Sequence, residues 1–273
     1  MIKRILISLL RYVLHFRYIY NLVDFMGYQS RRAIKQYAEK KFIELLAPHG
    51  SAKVLHGPFK GMIYPQMHSV GSELTPKIIG SYESELHSVL ESVCNKDYAQ
   101  VVDIGAAEGY YAIGLALRIP GVKVNVFETN TRGIELCKHM AIANKVDDRI
   151  VFKGECDVNQ LALLEFNQGH KGFVICDCEG CELEILDPKL IPQLAHCDLL
   201  VEVHDFTTTG LSSFEIINSR FLDTHKIRPI NVKRRDPKYF IELEKFNELE
   251  ISSVLSEQRV HSVGWMFIES ISC

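Results

Sequence analysis

Val101-Val102-Asp103-Ile104-Gly105-Ala106-Ala107-Glu108-Gly109-Tyr110-Tyr111 is the stretch on which the fold turns. Val101, Val102 and Ile104 read as a buried strand, because β-branched side chains suit a pleated, packed surface. Glycines at 105 and 109 break it, and the apolar, Ala-containing run from Ala112 to Leu117 continues as helix. Strand, small-residue turn and helix N-terminus together make a cradle for a nucleotide-like ligand, since small residues let a ligand approach the backbone. Val122 to Phe127 reads as a second strand that ends on Glu128. A carboxylate at that tip is placed to accept hydrogen bonds from two ribose hydroxyls.

A dinucleotide fingerprint needs G-x-G-x-x-G, and alignment on Gly105 puts Tyr110 where its third glycine belongs. The small residues fall instead at 105, 107 and 109. Asp103-x-Gly105-x-Ala107-x-Gly109 resembles the S-adenosylmethionine loop of Rossmann-like methyltransferases. A tight strand-to-helix turn with no ligand is the bland alternative, and Glu128 counts against it.

The chain has 273 residues, 47% hydrophobic and 24% charged, enough for one large α/β domain with an appendage. Its net charge of −3 hides an asymmetry. Residues 1–60 carry 11 Lys/Arg and 3 Asp/Glu, a net of +8, and the remainder carries 20 and 31, a net of −11. An acidic body disfavours nucleic acid as a partner, and a basic start favours an anionic surface or acidic partner. The eight cysteines show no regular framework and read as reduced thiols of a cytosolic protein.

Residues 1–56 read as a basic helical extension and 57–273 as the main domain. In residues 1–27, Lys3, Arg4, Arg11 and Arg17 share one side of a helical wheel, opposite Ile2, Ile5, Leu9, Val13 and Phe16. The uncharged run Ile5 to Leu10 is too short to cross a bilayer. Peripheral contact with the inner face of a membrane is one reading; a helix packed on the domain or at a homo-oligomer contact is the other. Residues 29–47 read as a second basic helix. Gly80 to about Cys94 reads as a helix with Glu83 and Glu85 in its first turn, where carboxylates suit the dipole. Beyond Glu128 the alternation continues: helix Arg132 to Asn144, strand Ile150 to Lys153, helix Leu161 to Asn167, strand Gly172 to Cys176. That pattern predicts a mostly parallel sheet covered on both faces, with ligands beyond the carboxyl ends of its strands. Residues 212–221 read as helix, 226–231 as strand, Lys233-Arg234-Arg235-Asp236-Pro237 as a solvated turn, 232–260 as an insertion covering the substrate pocket, and His261 to Ile268 as the last strand.

Phe173-Val174-Ile175-Cys176-Asp177-Cys178-Glu179-Gly180-Cys181-Glu182-Leu183-Glu184-Ile185-Leu186 resembles the D-x-E-G-x-E-x-x-[IV]-L motif of FkbM-type S-adenosylmethionine-dependent methyltransferases. Gly80-Ser81-Tyr82-Glu83-Ser84-Glu85-Leu86 looks like the segment that precedes the cofactor loop in related members. The likeness covers roughly residues 57–205 and is looser around Glu257 to Trp265. It implies a Rossmann-like class I methyltransferase fold with a seven-stranded sheet. It also implies O-methyl transfer to a glycan, glycolipid or other hydroxylated small-molecule acceptor. The family's loop often has Asn at 107 and an apolar residue at 108; this chain has Ala107 and Glu108, which touches how the methionine end is held. S-adenosyl-L-methionine is the expected cofactor, with Glu83, Asp103, Gly105, Ala106, Ala107, Gly109, Tyr110, Glu128, Asp157 and Asp177 as its site.

A hydroxyl acceptor is a weak nucleophile until its proton leaves, so a base is expected. His204, at the end of Val201-Glu202-Val203-His204-Asp205, is the first candidate, because an ordinary imidazole is partly neutral at pH 7. Asp177 and Glu179 are the other catalytic candidates. A second reading uses Asp177, Glu202, His204 and Asp205 as partial ligands of a hard divalent ion. Cys176-x-Cys178-x-x-Cys181 has metal-like spacing, but with no second pair nearby it reads as small buried thiols, and no metal is assigned. Asp157 either reaches the adenine amino group or caps the helix that starts there. A non-catalytic module of the same fold, binding a membrane or protein through its basic start, is the competing view.

Overall fold

The computed structural model describes residues 2–164, 171–205, 210–257 and 264–271. Its elements in chain order begin with α1 (Ile2–Leu46), β1 (Ala52–Lys53), β2 (Ile63–Tyr64), α2 (Leu74–Ile79) and α3 (His87–Cys94). The alternating part follows: β3 (Tyr98–Ile104), α4 (Tyr110–Arg118), β4 (Lys123–Phe127), α5 (Thr131–Ala143), β5 (Ile150–Gly154), α6 (Val158–Ala162), β6 (Lys171–Cys176), α7 (Glu182–Ile185) and β7 (Cys197–Val203). The chain ends with α8 (Ser213–Phe221), β8 (His225–Ile230), α9 (Glu248–Val254) and β9 (Gly264–Ser270).

Two compact units emerge, Met1–Leu46 with Pro237–Val254, and Ala47–Asp236 with Leu255–Cys273. This division differs from a boundary at 56/57. Residues 47–56 belong with the second unit, where Ala52 and Lys53 pair with Tyr64 and Ile63 in a separate two-stranded sheet. Most of the segment read as a pocket-covering insertion belongs with α1. Within that first unit, Lys41 donates to Glu250 and to the Lys245 carbonyl, both at 2.7 Å, and Phe42 lies 6.4 Å from Phe246, ring to ring. The two helices expected in residues 1–47 are one helix, α1. Ile19, Leu22, Val23, Phe25 and Met26 stand exposed on it. The side chains of residues 1–18, and with them the expected basic and apolar sides, lie outside the described residues, and among those described no helix is long and apolar enough to cross a membrane.

The second unit is built on a seven-stranded sheet in the order β5-β4-β3-β6-β7-β9-β8. Neighbours run parallel except β9, which pairs antiparallel with β7 and β8. This is the Rossmann-like, mostly parallel architecture expected of the sequence. β7 is buried at every position and β3 at nearly every one, as strands covered on both faces must be. Ser212 opens α8 with a capping box completed by Glu215. The helix expected over Leu161 to Asn167 is instead α6, begun earlier by the Asp157 cap; residues 165–167 lie outside the described residues, as do 261–263 of the last strand.

The chain leaves β3 for β4 on one side and reaches β6 on the other, which opens a crevice at the carboxyl ends. Gly105 N donates to Phe127 O and Asp177 N to Ile104 O, each at 2.9 Å, so the three strand tips are stitched together. Gly105 has φ of 82°, and a Cβ there would sit 1.7 Å from the Asp177 carbonyl oxygen. The small residue at 105 therefore serves strand-to-strand contact, and Gly105 also lines that crevice. Gly105→Ala is expected to cost more than about 3 kcal/mol, since overpacking and left-handed strain add. Gly121→Ala, which has φ of 72° and nothing within 4 Å, is expected to cost only about 1 kcal/mol. Urea unfolding of both variants checks the difference.

Candidate functional site

The strand tips enclose a cavity of about 720 Å³, walled by the 103–107 turn, Glu128, Cys156, Asp177 and residues from 70–83. Glu128 follows β4 and is half-buried. Its Oε2 accepts from Ala107 N and its Oε1 from Asn130 N, both at 2.6 Å. A carboxylate has about four acceptor positions, so each oxygen keeps capacity for one more donor from the cavity. Ala107 takes φ of 49° to present its N–H, and Gly133 makes room, since a Cβ there would meet the Ala107 carbonyl at 2.9 Å. The turn and the acid are thus built as one piece.

Asp103 closes the floor. Burial pushes its carboxyl up to about 8, and its Oδ2 is buried without a hydrogen-bond partner. Such an atom fits a cationic or hydrogen-bonding ligand group. Gly109 and Tyr110 start α4; Tyr110 lines the cavity, whereas Gly109 packs on Cys137, whose Sγ a Cβ would meet at 2.5 Å.

Glu108 explains the loop's departure from the family pattern. It is wholly buried and accepts from Lys77 Nζ at 2.5 Å, Ser69 Oγ at 2.9 Å, Val70 N at 3.1 Å and the Tyr64 hydroxyl at 3.2 Å. Lys77 is 3% exposed and lies 4.9 Å from the Tyr82 ring centre, at the cavity wall. A buried carboxylate is tolerable only with such pairing and donors. Hydrophobic patterning hides this pair: one member is an acid in a Gly-rich turn, the other a lysine beside Pro76.

Glu83 is not in a helix's first turn. It has φ of 45°, precedes a short 3-10 turn, is buried, accepts from the Tyr111 hydroxyl and donates its N–H to Glu257 Oε1 at 2.6 Å. Arg235, from the turn expected to be solvated, bonds Ser81 O at 2.9 Å and Glu257, and lies 3.9 Å from Glu85. It anchors the 81–85 segment against the cavity, a role the basic run did not signal because its two neighbours are exposed.

On the opposite wall, Asp177 ends β6, and burial raises its carboxyl above the usual range. A hydrogen bond with Glu202 works against that rise. His204 Nδ1 lies 2.8 Å from Glu182 Oε1 and Nε2 lies 3.4 Å from Glu179 Oε2. The Glu182 hydrogen bond holds the imidazole above its ordinary value, against burial, so His204 is more protonated at pH 7 than its sequence position suggests. Glu182, the orienting group, is the second glutamate of the Asp-x-Glu-Gly-x-Glu stretch, which marks it in the sequence without giving it a role. Donor atoms of Asp177, Glu179 and His204 lie within 4.8 Å of one another, close enough to share a divalent cation. Asp205 accepts from Ser213 N at 3.2 Å and stands outside the set.

Asp157 accepts from Gln160 N at 2.7 Å, is exposed and is not on the cavity wall, where Glu155 and Cys156 stand instead. The helix-cap reading accounts for it. Cys178 and Cys181 are joined in a disulfide, so the expectation of reduced thiols there is corrected. Cys176 stays a free thiol, its Sγ 3.7 Å from Cys178 Sγ, and burial pushes it well above the ordinary thiol range.

No family model matches the chain, and no curated protein matches it. Among solved structures, it is similar to an O-methyltransferase from Bacillus cereus in complex with SAH, at 10% identity over 70% of this chain and 82% of that one, TM-score 0.45. It is similar to the O-methyltransferase TomG from Streptomyces achromogenes, involved in tomaymycin synthesis and in complex with SAM, at 11% identity over 71% and 82%, TM-score 0.45. It is also similar to the tRNA (uracil-54, C5)-methyltransferase of Pyrococcus abyssi, at 14% identity over 70% and 39%, TM-score 0.40. Likenesses this distant bear on neither ligand nor acceptor.

Removing one member of the Lys77–Glu108 pair strands the other in a dry site. Lys77→Met is expected to lose about 3–5 kcal/mol in denaturant unfolding, and Lys77→Met with Glu108→Gln to recover part of that loss.

Proposed function

We propose that the cavity binds S-adenosyl-L-methionine and that the chain transfers its methyl group to a hydroxyl of a glycan, glycolipid or other hydroxylated metabolite. The observation that carries this reading is Glu128, fixed by Ala107 and Asn130 at the tip of β4 on the wall of the cavity. A ribose diol supplies the two donors it lacks. The unpartnered Asp103 Oδ2 suits the ammonium of the methionine tail, and Tyr82 and Tyr110 line the same cavity. The Asp-x-Glu-Gly stretch from Asp177 to Gly180 supports a place near the FkbM-type enzymes. A pyrophosphate, by contrast, would face Glu83, Asp103, Glu155 and Glu257 across the same space.

S-adenosylmethionine brings an activated methyl group; the chain's task is alignment and proton removal. Glu182 fixes His204 with Nδ1–H donated to it, which leaves the Nε2 lone pair to take the acceptor's proton. The shared divalent cation favoured by the Asp177, Glu179 and His204 spacing would acidify the hydroxyl instead.

Calorimetry with S-adenosylhomocysteine tests the donor site. Glu128→Ala removes charge-assisted hydrogen bonds worth ~1.5–3 kcal/mol each, so affinity is expected to fall roughly 100-fold while thermal unfolding of the free protein still shows a cooperative transition. Unchanged affinity overturns the assignment, and absence of binding by the wild type favours a non-catalytic module. The donor itself has a second signature. Its ammonium beside Asp103 lowers that carboxyl from about 8, so binding at pH 7 releases protons and the observed enthalpy depends on the buffer.

The base has its own test. His204 acts only when neutral, and its value is raised, so turnover rises with pH through a midpoint above 6.5 and levels off beyond it. A profile flat from about pH 6 to 9 contradicts the base. Turnover that survives excess chelator supports His204 over the cation; turnover lost to chelator and restored by magnesium or manganese reverses that choice.

A further inference from the structure

The disulfide lies at the most consequential turn of the cavity wall. Cys178 and Cys181 both line the cavity and are half-buried, whereas Cys94, Cys137, Cys176 and Cys197 are buried. The ring they close contains Glu179 and Gly180, with φ of 57° and 115°. Two successive residues with positive φ, one of them a glutamate, hold that shape only where something closes the turn. The ring sits next to His204 at both of its ends. Glu179 is 81% exposed yet comes within 3.4 Å of His204 Nε2. Gly180 N donates at 3.2 Å to Glu182 Oε1, the atom that lies 2.8 Å from His204 Nδ1.

We propose that Cys178–Cys181 is a reversible thiol–disulfide exchange site opening onto the cavity, reduced by a dithiol, and that its closed ring is what holds Glu179 against His204. In the exchange a dithiol's thiolate attacks one ring sulfur, giving a mixed disulfide and releasing the other cysteine. The dithiol's second sulfur then displaces the first cysteine. One disulfide forms in the reductant as Cys178–Cys181 becomes two thiols, so two electrons and two protons pass from the dithiol to the pair. Oxidised glutathione runs the reaction backwards. Cys178 and Cys181 are half-buried residues of the cavity wall, packed behind it on the core, so the cavity is the side from which a dithiol reaches them and a ligand filling it blocks the attack. Opening the ring lets Glu179 relax out of positive φ and leave the imidazole.

The test uses the full chain. Iodoacetamide is applied before and after dithiothreitol, with and without S-adenosylhomocysteine, and each cysteine is followed by peptide mass spectrometry. Without reductant, Cys178 and Cys181 are expected to stay unlabelled. Dithiothreitol makes both label ahead of Cys94, Cys137 and Cys197, and oxidised glutathione reverses this. At about 100 times its Kd, S-adenosylhomocysteine slows the opening by roughly that factor. The imidazole resonances of His204 are expected to shift on reduction to the position seen in Cys178→Ser with Cys181→Ser. Labelling of both cysteines without reductant overturns the proposal, and so does a His204 signal unmoved by opening. The blocking arm rests on the methyl-donor reading. If calorimetry shows the homocysteine bound but opening is not slowed, access through the cavity is wrong. If it does not bind, the donor reading fails and the labelling still decides the exchange site.

Discussion

The tips of β3 and β6 touch backbone to backbone, and the site is laid out from that contact. Gly105 admits the Asp177 carbonyl where any side chain would collide with it, and the Asp177 N–H returns to Ile104 O. The chain after β3 must therefore turn away from β6 and toward β4. That turn carries Ala107 to Glu128 and Glu108 inward to Lys77. The same closeness aims the polypeptide after β6 along the opposite wall, where Glu179 and Glu182 meet His204. One steric constraint thus positions both halves of the cavity.

Charge then decides what the cavity takes. Carboxylates dominate its wall, and Lys77, the basic Lys/Arg side chain among the described lining residues, is committed to Glu108. Burial raises both Asp103, to about 8, and Asp177, so a cationic ligand beside Asp103 would displace a proton at pH 7. A sulfonium nucleoside with an ammonium tail meets that field; an anionic acceptor or a polyphosphate works against it.

Much of this was legible in the chain. The apolar runs and their spacing give the parallel sheet, and Val122 to Phe127 fixes Glu128 at a strand tip by register alone. What stayed hidden depends on partners distant in sequence. At position 105 the Asp177 carbonyl alone demands glycine, and no local pattern reports that. Glu108 reads only as a departure from the resembled loop until Lys77, Ser69 and Tyr64 close around it. Arg235 looks like one of a solvated trio until Ser81 and Glu257 are beside it. Cys178 and Cys181 read as small buried thiols, and only their proximity in the fold shows the disulfide. For His204 the position was readable, but its proton affinity depends on Glu182, which the Asp-x-Glu-Gly-x-Glu stretch marks without showing that it reaches an imidazole 22 residues on.

The most direct measurement is a crystal structure of the protein grown with S-adenosylhomocysteine. The account predicts the nucleoside across the carboxyl ends of β3 and β4, with both ribose oxygens about 3 Å from the Glu128 carboxylate and the sulfur facing the His204 side of the cavity. A ligand bound elsewhere, or a ribose that leaves Glu128 untouched, would contradict it.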